Sequence, residues 1–206
     1  MPPKTAPLPD FRFERDLATQ GLWPVAGLDE VGRGPLAGPV AAAAVILDPQ
    51  NLPDGVNDSK LLSAAQRDDL YEEIMARAIS VAIATASASE IDRLNIRQAT
   101  LLAQRRALAA LAVEPRYVLI DGNDLPDRLG CPGHTIVRGD SICASIAAAS
   151  IIAKVTRDRL MEKLCRVYPA YGFSRHAGYA TREHLDAIAA HGPCPFHRLS
   201  FSPFRA

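Results

Sequence analysis

The stretch VAGLDEVGRGPLAGPVAAAAVIL (residues 25–47) predicts the centre of the fold. It holds two short apolar runs, VAGLDEV (25–31) and VAAAAVIL (40–47), separated by a segment rich in glycine and proline. Short apolar runs bounded by Gly and Pro are typical of β-strands. The stretch therefore predicts two strands joined by a loop, with an acidic pair, Asp29 and Glu30, inside the first strand.

Further strands and helices are predicted on the C-terminal side of this stretch. Apolar runs predict three more strands, at 80–87, 117–121 and 134–137. Capping residues and apolar spacing predict four helices, one beginning at Ser63 with the capping-box partner Gln66 and the others at 94–111, 141–167 and about 181–191. This order indicates a single α/β domain at residues 21–206, mainly helical from about residue 168.

The composition is that of a globular protein. Of 206 residues, 48% are hydrophobic and 22% are charged, which excludes an intrinsically disordered chain. The 23 Lys and Arg residues balance the 23 Asp and Glu residues, so a polyanionic partner would have to bind a local patch. The proline-rich start, MPPKTAPLPD, leads us to expect a flexible tail over residues 1–20 rather than a signal peptide. Since no apolar stretch reaches the roughly 20 residues of a membrane-spanning helix, we expect a cytoplasmic protein.

The cysteines and histidines show no spacing typical of a metal site. No CxxC pair and no HExxH pattern occurs, so we expect free, buried thiols and surface or loop histidines. Two serines in the Ala-rich helix have no GxSxG context and are expected to serve helix packing. The residues concerned are Cys131, Cys143, Cys165, Cys194, His134, His176, His184, His191, His197, Ser145 and Ser150.

Four acidic residues lie in or just after predicted strands. Asp29 and Glu30 lie inside the first, Asp121 ends another, and Asp140 follows a third. Carboxylates are costly to bury unless a cation or another partner compensates their charge. If they converge, they would form a site for hard divalent cations such as magnesium. Taken singly, Asp121 could be a turn residue, Asp140 a helix N-cap, and Glu30 an exposed strand residue.

The tripeptide Gly32-Arg33-Gly34 follows the acidic pair. Glycines allow a backbone to approach a ligand closely, and the arginine fork suits a phosphate group. A tight turn between two strands, with a solvated arginine, explains the same three residues. A GxG tripeptide by itself is a weak signal.

Several ordered motifs, however, resemble one family. These are LDEVGRGPLAGPV (28–40), NDSKLL (57–62), EIDRLNIRQATLLA (90–103), LIDGN (119–123), VRGDSICASIAAASIIAKVTRDR (137–159) and YPAYGFSRHAGYATREH (168–184). Together they resemble bacterial ribonuclease HII, the type 2 ribonuclease H, from about Val25 to Ser202. The resemblance implies an RNase H-like fold with a mixed five-stranded sheet flanked by helices, plus a small helical C-terminal extension.

The resemblance also implies the activity and the site. It implies an endonuclease that cuts the RNA strand of RNA/DNA hybrids and cuts 5′ of single ribonucleotides in duplex DNA, leaving 3′-hydroxyl and 5′-phosphate ends. The mechanism implied is two-metal-ion catalysis with Mg²⁺ or Mn²⁺. The implied metal-binding catalytic residues are Asp29, Glu30, Asp121 and Asp140. Gly32, Arg33 and Gly34 would read the sugar and phosphate of the ribonucleotide, Tyr179 would pack against that sugar, and Lys60 resembles a position near the substrate backbone.

Two positions depart from the family pattern. Ala177 and Arg138 stand where the family commonly has lysine, which leaves the contribution of the Ala177 loop to substrate binding open. The stretch before Val25 is too short for the extra substrate-binding domain of ribonuclease HIII. The basic residues of the long helix could form a phosphate-contacting face or a solvated one; they are Lys154, Arg157, Arg159, Lys163 and Arg166.

Two other functions stay open at this point. One is a catalytically silent nucleic-acid-binding module on the same fold, against which the presence of all four acids argues. The other is a different nuclease of this fold, such as a junction resolvase, which would not need the Gly32–Gly34 and Tyr179 set. We expect a monomer without membrane contact. Binding to a sliding clamp is left open, because the end of the chain, SFSPFRA, shows no Gln-led clamp motif.

Overall fold

The computed structural model describes residues 8–205, which form a five-stranded mixed sheet covered by helices. The strand order is β3-β2-β1-β4-β5. The first three strands pair antiparallel, whereas β1 pairs parallel with β4, and β4 parallel with β5. This architecture confirms the predicted fold class. The strands are β1 (Val25–Val31), β2 (Val40–Ile46), β3 (Ser80–Ala86), β4 (Tyr117–Asp121) and β5 (Gly133–Ile136).

The helices lie on both faces of the sheet and in the C-terminal region. Short 3-10 turns at Gly139–Ser141 and Pro169–Tyr171 precede and follow the longest helix. The α-helices are α1 (Arg12–Thr19), α2 (Ala64–Arg77), α3 (Ala88–Leu94), α4 (Ile96–Ala109), α5 (Ala144–Val167), α6 (Phe173–His176) and α7 (Arg182–His191). None of the helices within residues 8–205 is long and apolar enough to cross a membrane.

Small side chains let the helices approach the central strands closely. The first half of α5 is almost entirely buried alanine and isoleucine, and it packs on β1 and β2. At Gly27 a Cβ atom would collide with the α5 backbone at Ser145, so this position in β1 requires glycine. Alanines of α4, including Ala99 and Ala103, pack on the opposite face. Because helices cover both faces of the sheet, β1 is apolar from Val25 to Leu28, and its two polar residues, Asp29 and Glu30, lie near its C-terminal end.

The predicted helix over 94–111 is present as α4, and a separate helix that was not predicted, α3, precedes it. Helix α3 ends at Leu94, and Asn95 adopts a left-handed φ of 71° before α4 begins. The Asn95 side chain accepts a hydrogen bond from the Gln98 backbone N–H and so caps α4. Asparagine tolerates this conformation because its short polar side chain can bond locally. The predicted capping box of Ser63 and Gln66 is present at the start of α2.

The prediction of a flexible tail over residues 1–20 is wrong for its second half. Residues 12–19 form α1, whose Leu17 and Glu14 are buried. The Glu14 carboxylate accepts a 2.8 Å hydrogen bond from the Ser145 backbone N–H and a 3.2 Å one from the Cys143 thiol. Helix α5 has no side-chain cap of its own. Glu14 therefore provides an acceptor for a backbone N–H group at the N-terminus of α5, and this contact attaches α1 to the domain. Residues 1–7 of the predicted tail lie outside the described part of the chain.

The C-terminal region folds back onto the second half of α5. Tyr171 and Phe173 stack with their ring centroids 5.3 Å apart and join Met161 and Leu164 of α5 in one apolar cluster. Ala37, from the loop between β1 and β2, belongs to the same cluster. The C-terminal region therefore contacts the loop that follows the acidic pair.

Candidate active site

Three carboxylates converge at one edge of the sheet. Strands β1 and β4 are parallel neighbours with Leu28 beside Ile120, so Asp29 and Asp121 reach the same edge. The 3-10 turn after β5 adds Asp140. One oxygen from each of the three carboxylates lies within 4.8 Å of the other two. The structure thus brings together three of the four predicted acids.

Two of these carboxylates accept hydrogen bonds from nearby backbone N–H groups, whereas Asp140 accepts from the side chains of Lys60 and Ser141. Asp121 Oδ1 accepts a 2.7 Å hydrogen bond from the Gly139 N–H, and Asp29 Oδ1 accepts one of 2.7 Å from the Glu30 N–H. The alternative of Asp140 as the N-cap of the long helix is wrong, because the N-cap is Cys143 and it makes no side-chain capping bond. Asp140 is instead buried in the preceding turn and faces the other acids.

Glu30 lies beside this trio and has partners of its own. Its Oε2 accepts a 2.8 Å hydrogen bond from Gln104 Nε2, and its Oε1 lies 3.2 Å from Arg33 Nη1. Gln104 is buried in α4 and was not singled out by the sequence analysis, since it is 74 residues away from Glu30 along the chain. Nothing in the sequence distinguishes this glutamine from an ordinary helix-surface residue.

Burial and mutual repulsion disfavour the charged forms of three of these acids. Burial, Glu30 and Asp121 raise the pKa of Asp29 well above its ordinary value. Burial also raises the pKa of Glu30, although Arg33 partly offsets this. For Asp121, burial and the charge of Asp140 raise the pKa. Carboxylate oxygens that repel one another at this range are the donor set that a hard divalent cation prefers, so these residues fit such an ion.

Lys60 reaches the cluster from the loop before α2. Its Nζ donates a 2.9 Å hydrogen bond to Asp140 Oδ2 and lies 3.6 Å from Asp58 Oδ1. Burial lowers the pKa of Lys60, but Asp140, Asp58 and Asp29 outweigh burial and raise it above its ordinary value. The loop is fixed by a 2.9 Å hydrogen bond between Ser59 and Ser150, whose packing role in α5 was predicted. Lys60 is therefore placed against the acids while its side chain stays 74% exposed.

Arg198 supports the Gly32-Arg33-Gly34 loop from the interior of the protein. This buried guanidinium donates to the carbonyl oxygens of Gly32, Arg33 and Gly38 at 2.6, 2.9 and 3.0 Å. Gly32 has a φ of +92°, and a Cβ there would collide with the Arg157 guanidinium. Within residues 8–205 the Arg33 and Gly34 N–H groups donate to no acceptor. The loop therefore offers free donors on its outer side.

Arg157 is a second buried support and corrects one prediction. It is not part of an exposed basic face of α5, because it is fully buried and donates to the carbonyls of Pro39, Ala177 and Ala37 at 3.0, 3.0 and 3.2 Å. Of the remaining basic residues, Lys154 is half-buried and pairs with Asp158, whereas Arg159, Lys163 and Arg166 are exposed and Arg159 pairs with Asp68. Arg198 was missed by the sequence analysis, since its three acceptors are more than a hundred residues away.

Tyr179 stands next to the loop. A Cβ at Gly34 would lie 3.5 Å from Tyr179 Cε1, and the Tyr179 side chain is 45% exposed. Gly178, just before it, accepts a 2.7 Å hydrogen bond from the Leu36 N–H. The half-exposed ring therefore lies beside the loop whose Arg33 pairs with Glu30 next to the acids.

The predictions for histidine and cysteine hold only in part. His176, His184 and His197 are buried rather than exposed, since aromatic rings of the C-terminal region enclose them. His134 and His191 are exposed, as predicted. All four cysteines are free, but only two of them, Cys143 and Cys194, are buried.

Comparison with known proteins decides the family. The family model for ribonuclease HII matches residues 26–203. The chain belongs to the ribonuclease HII family. The ribonuclease HII of Sinorhizobium medicae (strain WSM419) is 58% identical over 203 residues, which is 98% of this chain and 94% of that one. This ribonuclease HII is accordingly a ribonuclease H, an endonuclease that cleaves RNA in RNA/DNA hybrids. Family membership also favours that activity over a junction resolvase or a silent binding module.

Solved structures share the fold. The crystal structure of ribonuclease H2 from Pyrococcus horikoshii OT3 matches with a TM-score of 0.74 and 27% identity, over 88% of this chain and 95% of that one. The ribonuclease HII in the PCNA:RNase HII complex from Archaeoglobus fulgidus matches with a TM-score of 0.73 and 29% identity, over 86% and 95% of the two chains. The fold that the sequence resemblance implies is therefore the fold that the chain shares with these solved structures.

Proposed function

We propose that this ribonuclease HII, besides cleaving hybrids, cuts on the 5′ side of a single ribonucleotide embedded in duplex DNA. The observation that carries the proposal is the continuity of the site. Glu30 follows Asp29 of the three converging carboxylates and pairs with Arg33, and the Tyr179 ring lies beside the next residue, Gly34. One surface thus combines a place for the scissile phosphate with groups that can contact the adjoining sugar.

The carboxylates would hold the divalent ions of a two-metal-ion mechanism. Asp29, Asp121 and Asp140 present oxygens close enough to share one ion, and Glu30 extends the set beside Asp29. When bound, a pair of Mg²⁺ or Mn²⁺ ions would act as Lewis acids, stabilising charge on the attacking water oxygen and on the leaving 3′ oxygen of the phosphodiester. Backbone N–H groups fix the Asp29 and Asp121 oxygens in position. The products would carry 3′-hydroxyl and 5′-phosphate ends.

The loop and the tyrosine would identify the ribonucleotide. The free N–H groups of Arg33 and Gly34 and the half-exposed Arg33 guanidinium can donate to a phosphate or to the 2′-hydroxyl. The Tyr179 ring can close over the sugar. Lys60, 74% exposed beside Asp140, can contact the next backbone phosphate. We further propose that the enzyme acts as a monomer, because one chain supplies every group named here, and that it acts in the reducing cytoplasm, because its four cysteines are free.

A defined substrate tests the proposal. A duplex with one ribonucleotide, an all-RNA/DNA hybrid and an all-DNA duplex would each be incubated with wild type and with Asp121→Asn, with and without Mg²⁺. We expect one cut 5′ of the ribonucleotide, dependent on metal and on Asp121. Asp127→Asn, at an exposed acid outside the cluster, is the matched control. Cleavage of the hybrid without cleavage of the single-ribonucleotide duplex would refute the proposed specificity.

A further inference from the structure

A chain of hydrogen bonds between buried histidines ends on the backbone of Tyr179. His184 Nδ1 lies 2.9 Å from the Tyr179 carbonyl oxygen. On the other side of the same ring, His184 Nε2 lies 3.1 Å from His197 Nε2. The Cys194 backbone N–H donates to His197 Nδ1 at 2.9 Å. The chain therefore runs from Cys194 through two imidazoles to Tyr179.

The partners of this chain fix where its protons lie. A backbone N–H can only donate, so His197 Nδ1 must accept and its proton resides on Nε2. That proton is donated to His184 Nε2, which leaves the His184 proton on Nδ1 for the Tyr179 carbonyl. The Cys194 carbonyl also approaches His197 Nδ1, but at 3.3 Å it is the longer contact. Two neutral rings satisfy all three hydrogen bonds in this arrangement.

The surroundings keep both rings neutral and immobile. His184 and His197 are buried, and burial lowers the pKa of His184 and lowers that of His197 to about 4. His176 from α6 stacks on His184 with ring centroids 4.5 Å apart. Phe173 contacts both rings edge-on or tilted. No carboxylate within residues 8–205 hydrogen-bonds either imidazole.

We propose that His184 and His197 are positioning residues that set the place of Tyr179 at the ribonucleotide. This inference rests on the proposed contact between Tyr179 and the sugar. The residue after His197 is Arg198, which supports the Gly32 and Arg33 carbonyls. The short segment 194–198 is thereby linked both to the Gly32–Gly34 loop, through Arg198, and to Tyr179, through His197 and His184. It fixes the positions of these two parts of the proposed sugar site relative to each other.

The proton arrangement can be tested without reference to activity. Long-range ¹H–¹⁵N spectra of the imidazoles near neutral pH report which ring nitrogen carries the proton. We expect His184 as the Nδ1–H tautomer and His197 as the Nε2–H tautomer. An Nε2–H tautomer of His184 would overturn the proposal, whatever the substrate specificity of the enzyme turns out to be.

Matched variants test the positioning role. In His184→Asn the side-chain amide can still donate from the place of Nδ1, whereas in His184→Gln it lies at the place of Nε2. Single-turnover cleavage of the one-ribonucleotide duplex should fall about tenfold in His184→Gln, as expected for a displaced contact group, and should be largely retained in His184→Asn. Equal losses in both variants would overturn the role.

Two further comparisons separate this role from general stability and from the proposed function. Leu164→Ala removes apolar contacts from the cluster that holds Tyr171 and Phe173 but leaves the rings and hydrogen bonds around His184 and His197 in place, so it should lower the melting temperature but leave the cleavage rate of the folded enzyme unchanged. In a Tyr179→Ala background, His184→Gln should cause no further loss. A further tenfold loss there would contradict the proposal. Full activity of Tyr179→Ala alone would instead refute the proposed sugar contact while leaving the tautomer result standing.

Discussion

Lys60 Nζ lies 2.9 Å from Asp140 Oδ2, so a lysine from a loop 80 residues away stands at the edge of the acidic cluster. Its positive charge lowers the local attraction for a second cation. It also leaves the cluster with an exposed donor for a phosphate, since most of the side chain is in solvent. Removal of the Lys60 charge should therefore strengthen metal binding and weaken the binding of a phosphate group.

Lys60→Met should therefore weaken substrate binding and strengthen metal binding. We expect the Mg²⁺ concentration for half-maximal activity to fall a few-fold, because the competing charge is gone, while KM for the substrate rises. Steady-state kinetics at a series of Mg²⁺ concentrations measure both quantities. A higher Mg²⁺ requirement in Lys60→Met would show that the lysine supports the metal site instead of competing with it.

Asp29→Asn should abolish cleavage and stabilise the metal-free fold. A raised folded-state pKa means that the charged carboxylate costs stability at neutral pH; this cost disappears as pH falls through that pKa. The neutral amide removes it at every pH, so we expect the melting temperature in chelator to rise by about 2–4 °C, equivalent to about 1 kcal/mol. Mg²⁺ should then raise the melting temperature of wild type more than that of the variant. A variant that melts lower than wild type in chelator would contradict the electrostatic argument.

Tyr179→Ala should impair cleavage at a single ribonucleotide far more than binding to plain duplex DNA, since duplex binding depends on phosphate contacts. Tyr179→Phe should retain most activity, because the ring supplies most of the contact area. Single-turnover rates on one-ribonucleotide and all-RNA/DNA substrates compare the two variants. Equal losses in both would assign the role to the hydroxyl.

Arg198→Lys should lower stability by about 2 kcal/mol, because an ammonium group cannot reproduce the fork that serves three carbonyls and would leave buried acceptors unpaired. Urea unfolding measures this loss, with Arg205→Lys, an exposed arginine, as the control. We also expect weaker substrate binding, since the Gly32–Arg33 backbone loses its support. Unchanged unfolding would show that the loop does not depend on Arg198.

Acid should destabilise the protein through His197. Its pKa is lowered to about 4 in the folded state, whereas an unfolded histidine titrates near 6.5. The unfolded state therefore binds the extra proton first, and stability falls between about pH 6.5 and 4 by about 1.4 kcal/mol per pH unit for this one group. Urea unfolding of wild type and His197→Gln across this range isolates the contribution, which should be missing from the variant. Parallel curves for the two proteins would contradict it.

The sequence predicted the acids because their chemistry is local. Asp29 lies near the end of β1 and Asp121 ends the adjacent strand β4, and a carboxylate in or after an apolar run is visible in the residues themselves. Gln104, Arg157 and Arg198 were missed or misplaced because their roles arise only from contacts with residues far away in the chain. The same holds for the buried histidines, since short polar motifs do not reveal what encloses them.

Two element boundaries differ from the predicted ones, each for a reason that the sequence pattern does not show. Helix α3 was not predicted, and the helix predicted from Leu94 begins at Ile96 because Asn95 adopts a positive φ and caps α4. Glu14 makes α1 part of the domain through its bond to the start of α5, a contact across 131 residues. Proline content near the start of the chain does not report such a contact.

The two arginines beneath the Gly32–Gly34 loop place positive charge under the surface that we propose contacts the substrate backbone. Both are buried, and within residues 8–205 both hydrogen-bond carbonyl groups rather than carboxylates, so their positive charge is not cancelled by a bonded acid. Mobile ions screen buried charges less than exposed ones. Association at this loop should therefore be less sensitive to ionic strength than association through a patch of surface lysines.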